Sequence, residues 1–227
     1  MRSLGAGFWT AVVLCAIGFL VVPTMIAQAP TEPVMGFVQK IFYFHVPCAI
    51  MLFLSTFVCA GGSIAYLFKG SERGDRLALA SAELSVLFGV CVLTSGPLWG
   101  RKAWGVWWQW DARLTSSLLL FLMMIAYLLA RRYGGPAGRK LGAALALFAA
   151  IDVPLVYKSV DIWRTVHPQT TVVPTLDPRM RPAFWSAFAL ITLVWALLLT
   201  IRIRLERARA EVATLRLDAD DLAEERA

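Results

Sequence analysis

Apolar residues fall in six long runs along the 227-residue chain, at positions 8–27, 41–68, 77–98, 114–130, 141–157 and 183–201, and the charged residues collect between them. A helix rises about 1.5 Å per residue and the hydrocarbon core of a bilayer is about 30 Å thick, so a run of roughly 20 apolar residues predicts one crossing. The runs do not alternate with a period of two, which excludes a barrel of short amphipathic strands. The pattern predicts an all-α integral membrane protein, a bundle of six transmembrane helices in which every backbone polar group pairs inside its own helix. The first run imitates a cleavable secretory signal, with Arg2, an apolar stretch and Ala27-Gln28-Ala29. It is long enough to span, and is expected to be a retained helix.

The composition agrees. With 59% apolar and 16% charged residues the chain is too apolar for an ordinary soluble domain. Cys15, Cys48, Cys59 and Cys91 all lie inside apolar runs, and neither CxxC nor CxxCH occurs. That spacing predicts no structural disulfide and excludes a zinc knuckle, a thioredoxin-like centre and covalent c-type haem attachment.

Six crossings divide the 22 Lys and Arg residues between two sides. One side holds Lys40, Arg101, Lys102, Arg113, Lys158, Arg164, Arg179 and Arg181; the other holds the remaining fourteen, although its loops are shorter. The asymmetry predicts that both termini are cytoplasmic, and it accounts for the net charge of +7 without nucleic-acid binding. The two cytoplasmic connections carry Gly70, Gly74, Gly134, Gly135 and Pro136, as turns between antiparallel helices do. The longer segments, 28–40, 99–113 and 158–182, are then periplasmic, and function is expected there. Residues 1–201 form the six-span domain. Beyond them, 202–227 carries Leu205, Ala208, Val212, Leu215, Ala219 and Leu222 at steps of three and four. This predicts a cytoplasmic amphipathic tail, either docked on a partner or solvated.

Trp99, Trp104, Trp107, Trp108 and Trp110 sit within a dozen residues that end at Asp111. If this stretch is helical, Trp104, Trp107, Trp108 and Asp111 share one face, a flat aromatic platform with a carboxylate. Gly100 and Gly105 leave room for a planar partner, and Arg101, Lys102 and Arg113 surround it with cations. The interfacial aromatic belt accounts for Trp9, Trp185 and Trp195, but five indoles in one loop exceed what anchoring needs. Asp111 immediately precedes the fourth run, where it also suits a helix N-cap.

The chain has two histidines, His45 and His167, and both fall at the outer edge of the membrane on either side of the tryptophan loop. Two imidazoles at one depth can meet one metal. Haem iron takes imidazole axially, indoles cover its apolar macrocycle, and Arg101, Arg113 and Arg164 are placed to contact propionates. Pro47 and Pro168 follow the histidines, where a proline opens a helix or holds a turn. Asp152 and Glu83 are carboxylates inside apolar runs, costly in lipid and so functional candidates, or groups that satisfy the bundle interior.

The run from Trp99 to Thr115, WGRKAWGVWWQWDARLT, resembles the WWD signature of the haem-handling protein family, and the whole chain resembles its small six-span branch, the haem exporter protein C (CcmC) family. His45 in Phe44-His45-Val46-Pro47 and His167 after Trp163-Arg164-Thr165 match that branch's two histidine motifs; Pro168-Gln169 departs from it where Gln and Gly are expected. The resemblance implies a bacterial inner-membrane protein that binds haem b non-covalently at the periplasmic face. It also implies delivery to the haem chaperone CcmE during c-type cytochrome maturation, in a complex with the small subunit CcmD and the ABC-transporter subunits CcmA and CcmB. The chain has no GxxxxGK[ST] motif, so ATP hydrolysis falls to another subunit, and it is not expected to be an enzyme by itself.

Three other readings compete. A haem-to-apocytochrome ligase subunit shares the WWD signature, but such relatives carry more spans and a second histidine pair. A bis-histidine electron-transfer cytochrome usually buries haem between helices, whereas His167 falls in a loop. A glycosyl-transfer enzyme with Asp111 as acid or base leaves both histidines unexplained.

Overall fold

The computed structural model describes residues 4–31, 33, 35–168 and 172–224. Arg2, Arg226 and Gln169, which entered the charge count and the motif comparison, lie outside these residues, as does the side chain of Leu222 from the tail seam. Six helices account for the fold: α1 (Ala6–Gln28), α2 (Phe42–Lys69), α3 (Glu72–Ala103), α4 (Ala112–Tyr133), α5 (Gly138–Ile162) and α6 (Arg181–Glu224). Each is long and apolar enough to cross a membrane, and there is no strand among the described residues. The protein is a six-helix membrane bundle.

Helix α2 is the centre. It packs on α3, α5 and α6, while α4 joins α5 and α3, and α1 lies along α6. Cys48, Met51, Leu52 and Cys59 of α2 are buried against Phe88 of α3, Leu120, Met124 and Tyr127 of α4, and Ala146, Ala149 and Val156 of α5. Small residues let α2 and α3 approach closely where they turn. A Cβ on Gly62 would stand 2.5 Å from the carbonyl oxygen of Gly74, so only glycine fits.

Alternation of direction puts the start of α2, the end of α3, the start of α4 and the end of α5 at one end of the bundle. Both histidines lie at this end. The opposite end is held by charge. Asp75, buried at the start of α3, accepts from Arg131 of α4 and from Arg139 of α5 at 2.8 Å, and Arg139 also reaches Glu72 at 2.6 Å. Glu83 accepts from Arg202 of α6, which also bonds Glu206 at 3.1 Å. The carboxylate inside the third run is therefore an ion-pair partner between α3 and α6. Asp152 is buried on α5, and its Oδ2 has no partner.

Two boundaries differ from the sequence expectation. Pro97 and Gly100 do not end α3, which continues to Ala103, so the tryptophan connection is confined to 104–111 and Trp99 is helical. Pro47 lies inside α2 and not in its first turn, because the 3₁₀ segment Gly36–Ile41 leads directly into that helix. Residues 202–224 continue α6 without interruption; they contain no Gly or Pro, and Arg202 is fixed by Glu83.

Candidate functional site

His45 occupies the first turn of α2 and faces the last turns of α3. The hydroxyl of Ser95 donates to the carbonyl of Cys91, one turn back on α3, at 2.6 Å. With that proton committed, Ser95 Oγ accepts from the Nδ1–H of His45 at 2.8 Å. The tautomer follows: Nε2 carries no proton, and its lone pair is free for a metal. Gly96 completes the seat, since a Cβ there would come within 3.3 Å of the imidazole Cε1. Trp99, one turn further along α3, meets the His45 ring edge-on at 5.9 Å and donates its indole N–H to Met35 Sδ at 3.3 Å.

The stretch from Trp104 to Asp111 is not helical, which corrects the single-face arrangement expected of Trp104, Trp107, Trp108 and Asp111. Gly105 takes φ +78°, a left-handed conformation open to glycine, and Arg101 donates to its carbonyl, so the chain turns back instead of winding on. Trp104, Trp107 and Trp108 nonetheless line one cleft, through the turn and not through a helical period.

Asp111 caps α4, accepting from the backbone N–H of Leu114 at 2.8 Å. Its other oxygen accepts from the hydroxyl of Thr165 and, at 3.2 Å, from the N–H of Val166. One carboxylate thus joins the tryptophan connection to the segment that carries His167. The Nδ1–H of His167 donates to the carbonyl of Pro168 at 2.9 Å; a carbonyl only accepts, so here too Nε2 is the free nitrogen. Burial holds the His167 pKa down to about 4; the nearby Arg113 guanidinium acts in the same direction, and the Pro168 hydrogen bond opposes both. Its imidazole is neutral at physiological pH.

A cleft runs between these elements. His45, His167, Trp99, Trp104, Trp107, Trp108 and Arg113 all line it, with Leu52, Phe53 and Val92 below. A second cleft meets it at His45, His167, Trp99 and Arg113 and continues along Val46, Ile50 and Phe53 of α2 toward Tyr157. The two histidines stand where the clefts join. Within the first, the indole N–H of Trp108 is buried and has no acceptor.

Other residues singled out in the sequence lie beside the cleft. Trp110 is 75% exposed and packs edge-on against Trp108 at 5.7 Å. Arg101 is spent on Gly105, and Arg164 is exposed outside both clefts. Arg113 lines both, while donating to the carbonyls of Val156 at 2.6 Å and Tyr157 at 3.1 Å, which fixes the start of α4 to the end of α5. Sequence reasoning missed Ser95 and Gly96. The available signal was a Ser-Gly-Pro at the end of an apolar run, one helical turn before Trp99.

The Heme exporter protein C family model matches residues 2–223. Among curated relatives, the Heme exporter protein C of Bradyrhizobium diazoefficiens is 35% identical over 211 residues, covering 91% of this chain and 77% of the relative. That of Escherichia coli is 34% identical over 176 residues, covering 73% and 69%. That of Paracoccus denitrificans is 28% identical over 192 residues, covering 84% and 80%.

Proposed function

The chain belongs to the Heme exporter protein C family, and on that premise we propose that it binds haem b non-covalently between His45 and His167 and delivers it to the haem chaperone CcmE. The observation that carries this reading is the pair of imidazoles, each with Nδ1 committed to a fixed acceptor and Nε2 free, lining one aromatic cleft. Two imidazoles would complete the coordination of an iron already held by four porphyrin nitrogens. Among the described residues no group of three or more His, Cys, Asp or Glu is placed to hold a bare ion.

The cleft suits the rest of the cargo. Trp104, Trp107 and Trp108 offer apolar area to a planar ring, and the unpartnered Trp108 N–H and the Arg113 guanidinium offer a donor and a charge to a propionate. Arg164, which is exposed, and Arg101, beyond its bond to the Gly105 carbonyl, are the further proposed propionate contacts. No covalent step is assigned to this chain; it holds haem in position for the acceptor.

The histidine end faces the periplasm in this reading, as the eight-to-fourteen division of Lys and Arg supports, with both termini and the extension of α6 in the cytoplasm. CcmD, CcmA and CcmB are the proposed membrane partners, with ATP hydrolysis left to the ABC subunits. Haem transfer from the purified, haem-loaded protein to purified CcmE tests delivery. Transfer that is abolished with His45→Ala is expected; passage of haem to an apocytochrome in preference to CcmE would overturn the assignment in favour of a ligase subunit.

A further inference from the structure

The end of the bundle opposite the histidines holds an imbalance of charge. Four carboxylates there, Glu72, Asp75, Glu83 and Glu206, are each engaged by Arg131, Arg139, Arg202 or Arg209. Arg73 and Arg76, one turn apart at the start of α3, and Arg207 on α6 have no carboxylate partner among the described residues. These three line a cleft between the two helices, together with Ala210, Glu211 and Thr214. Arg207, Ala210, Glu211 and Thr214 follow the spacing of one helix face, and they look across at Arg73 and Arg76. Three guanidinium groups against one carboxylate repel one another unless an anion enters.

We propose that this cleft binds the phosphate headgroup of an anionic membrane lipid. Its depth fits. Arg76 directly precedes the third apolar run, and Arg207 lies about 7.5 Å along α6 beyond Arg202, so the cleft sits where hydrocarbon gives way to headgroups. Basic clefts between transmembrane helices at the cytoplasmic boundary recognise lipid phosphates through charge-assisted, bidentate guanidinium contacts. The bound headgroup would tie the extension of α6 to the start of α3 beside the Glu83–Arg202 pair.

The test is lipid retention by the purified full chain in neutral detergent, read by native mass spectrometry after addition of phosphatidylglycerol or phosphatidylcholine. Phosphatidylglycerol is expected to bind in preference, with affinity falling about fivefold for each arginine removed. The combined Arg73→Gln, Arg76→Gln, Arg207→Gln variant should lose the preference. Arg207→Gln alone, on an exposed helical face, serves if that variant does not fold, and haem content should be unchanged in either. Equal retention of the two lipids, or a preference that survives Arg207→Gln undiminished, overturns the proposal. Full displacement of the lipid by inorganic phosphate would reassign the cleft to a soluble phosphate, and displacement by polyglutamate to an acidic protein surface; either result contradicts a lipid site.

Discussion

His45 Nδ1 stands 2.8 Å from Ser95 Oγ, and because the Ser95 proton goes to the Cys91 carbonyl at 2.6 Å, the imidazole must be the donor of that bond. The hydroxyl acts as the outer partner that sets which nitrogen of a ligating histidine is free. Replacing Ser95 by Ala removes the acceptor and releases the tautomer and the ring. Haem affinity is expected to fall about 10–100-fold, the range typical of lost outer partners, with Ser95→Thr retaining most of it. Titration of the purified apoprotein with haem measures this; unchanged affinity and an unchanged spectrum in Ser95→Ala would remove Ser95 from the account.

Gly96 gives a sharper separation of binding from stability. Its missing side chain leaves the space beside His45 Cε1, which adjoins the free Nε2. Gly96→Ala favours the helix by about 1 kcal/mol on propensity alone. It also forces the imidazole to shift by a few tenths of an ångström. Thermal stability is expected to hold or rise while haem affinity falls, and a parallel fall in both would point to a general packing defect.

Acid provides a third test. The His167 pKa is held at about 4, below the value of about 6.5 for an exposed imidazole. Between these values the unfolded chain binds a proton at His167 that the folded one does not, so this group's contribution to folding is full above pH 6.5 and is lost as pH falls toward 4. Haem release, followed by absorbance during acid titration, is expected only well below pH 6.5, since iron competes with the proton for Nε2 and moves release further toward acid. A midpoint near 6.5 would show an exposed, unperturbed ligand.

Asp111 is expected to matter through position. It caps α4 and ties down Thr165 and Val166, two and one residues before His167. Asp111→Ala should cost about 0.5–2 kcal/mol of stability for the cap and should also lower haem content. Asp111→Asn, which keeps an acceptor for Leu114, should lose less of each. Thermal melts and the haem-to-protein ratio report both effects.

Much of this was legible in the sequence, for physical reasons that can be named. Apolar run length fixes the six helices, because a bilayer imposes one length scale on all of them. The co-location of His45 and His167 follows from counting crossings between them. The WWD run marked the cleft, yet its geometry was misread: helical spacing put three indoles on one face, whereas Gly105 at positive φ breaks that helix and the turn brings them together. Ser95, Gly96 and the Glu83–Arg202 pair were illegible because each acquires its meaning from a residue on another helix. No local period carries that information.

Both imidazoles hold one iron in the proposed complex, and the absorption spectrum of the purified, haem-loaded protein reports this ligation directly. Wild type is expected to show a six-coordinate, low-spin spectrum. His45→Ala and His167→Ala should each lose that signature while retaining some haem, should recover it with added imidazole, and should retain essentially none when combined. A low-spin spectrum unchanged in either single variant would contradict the account.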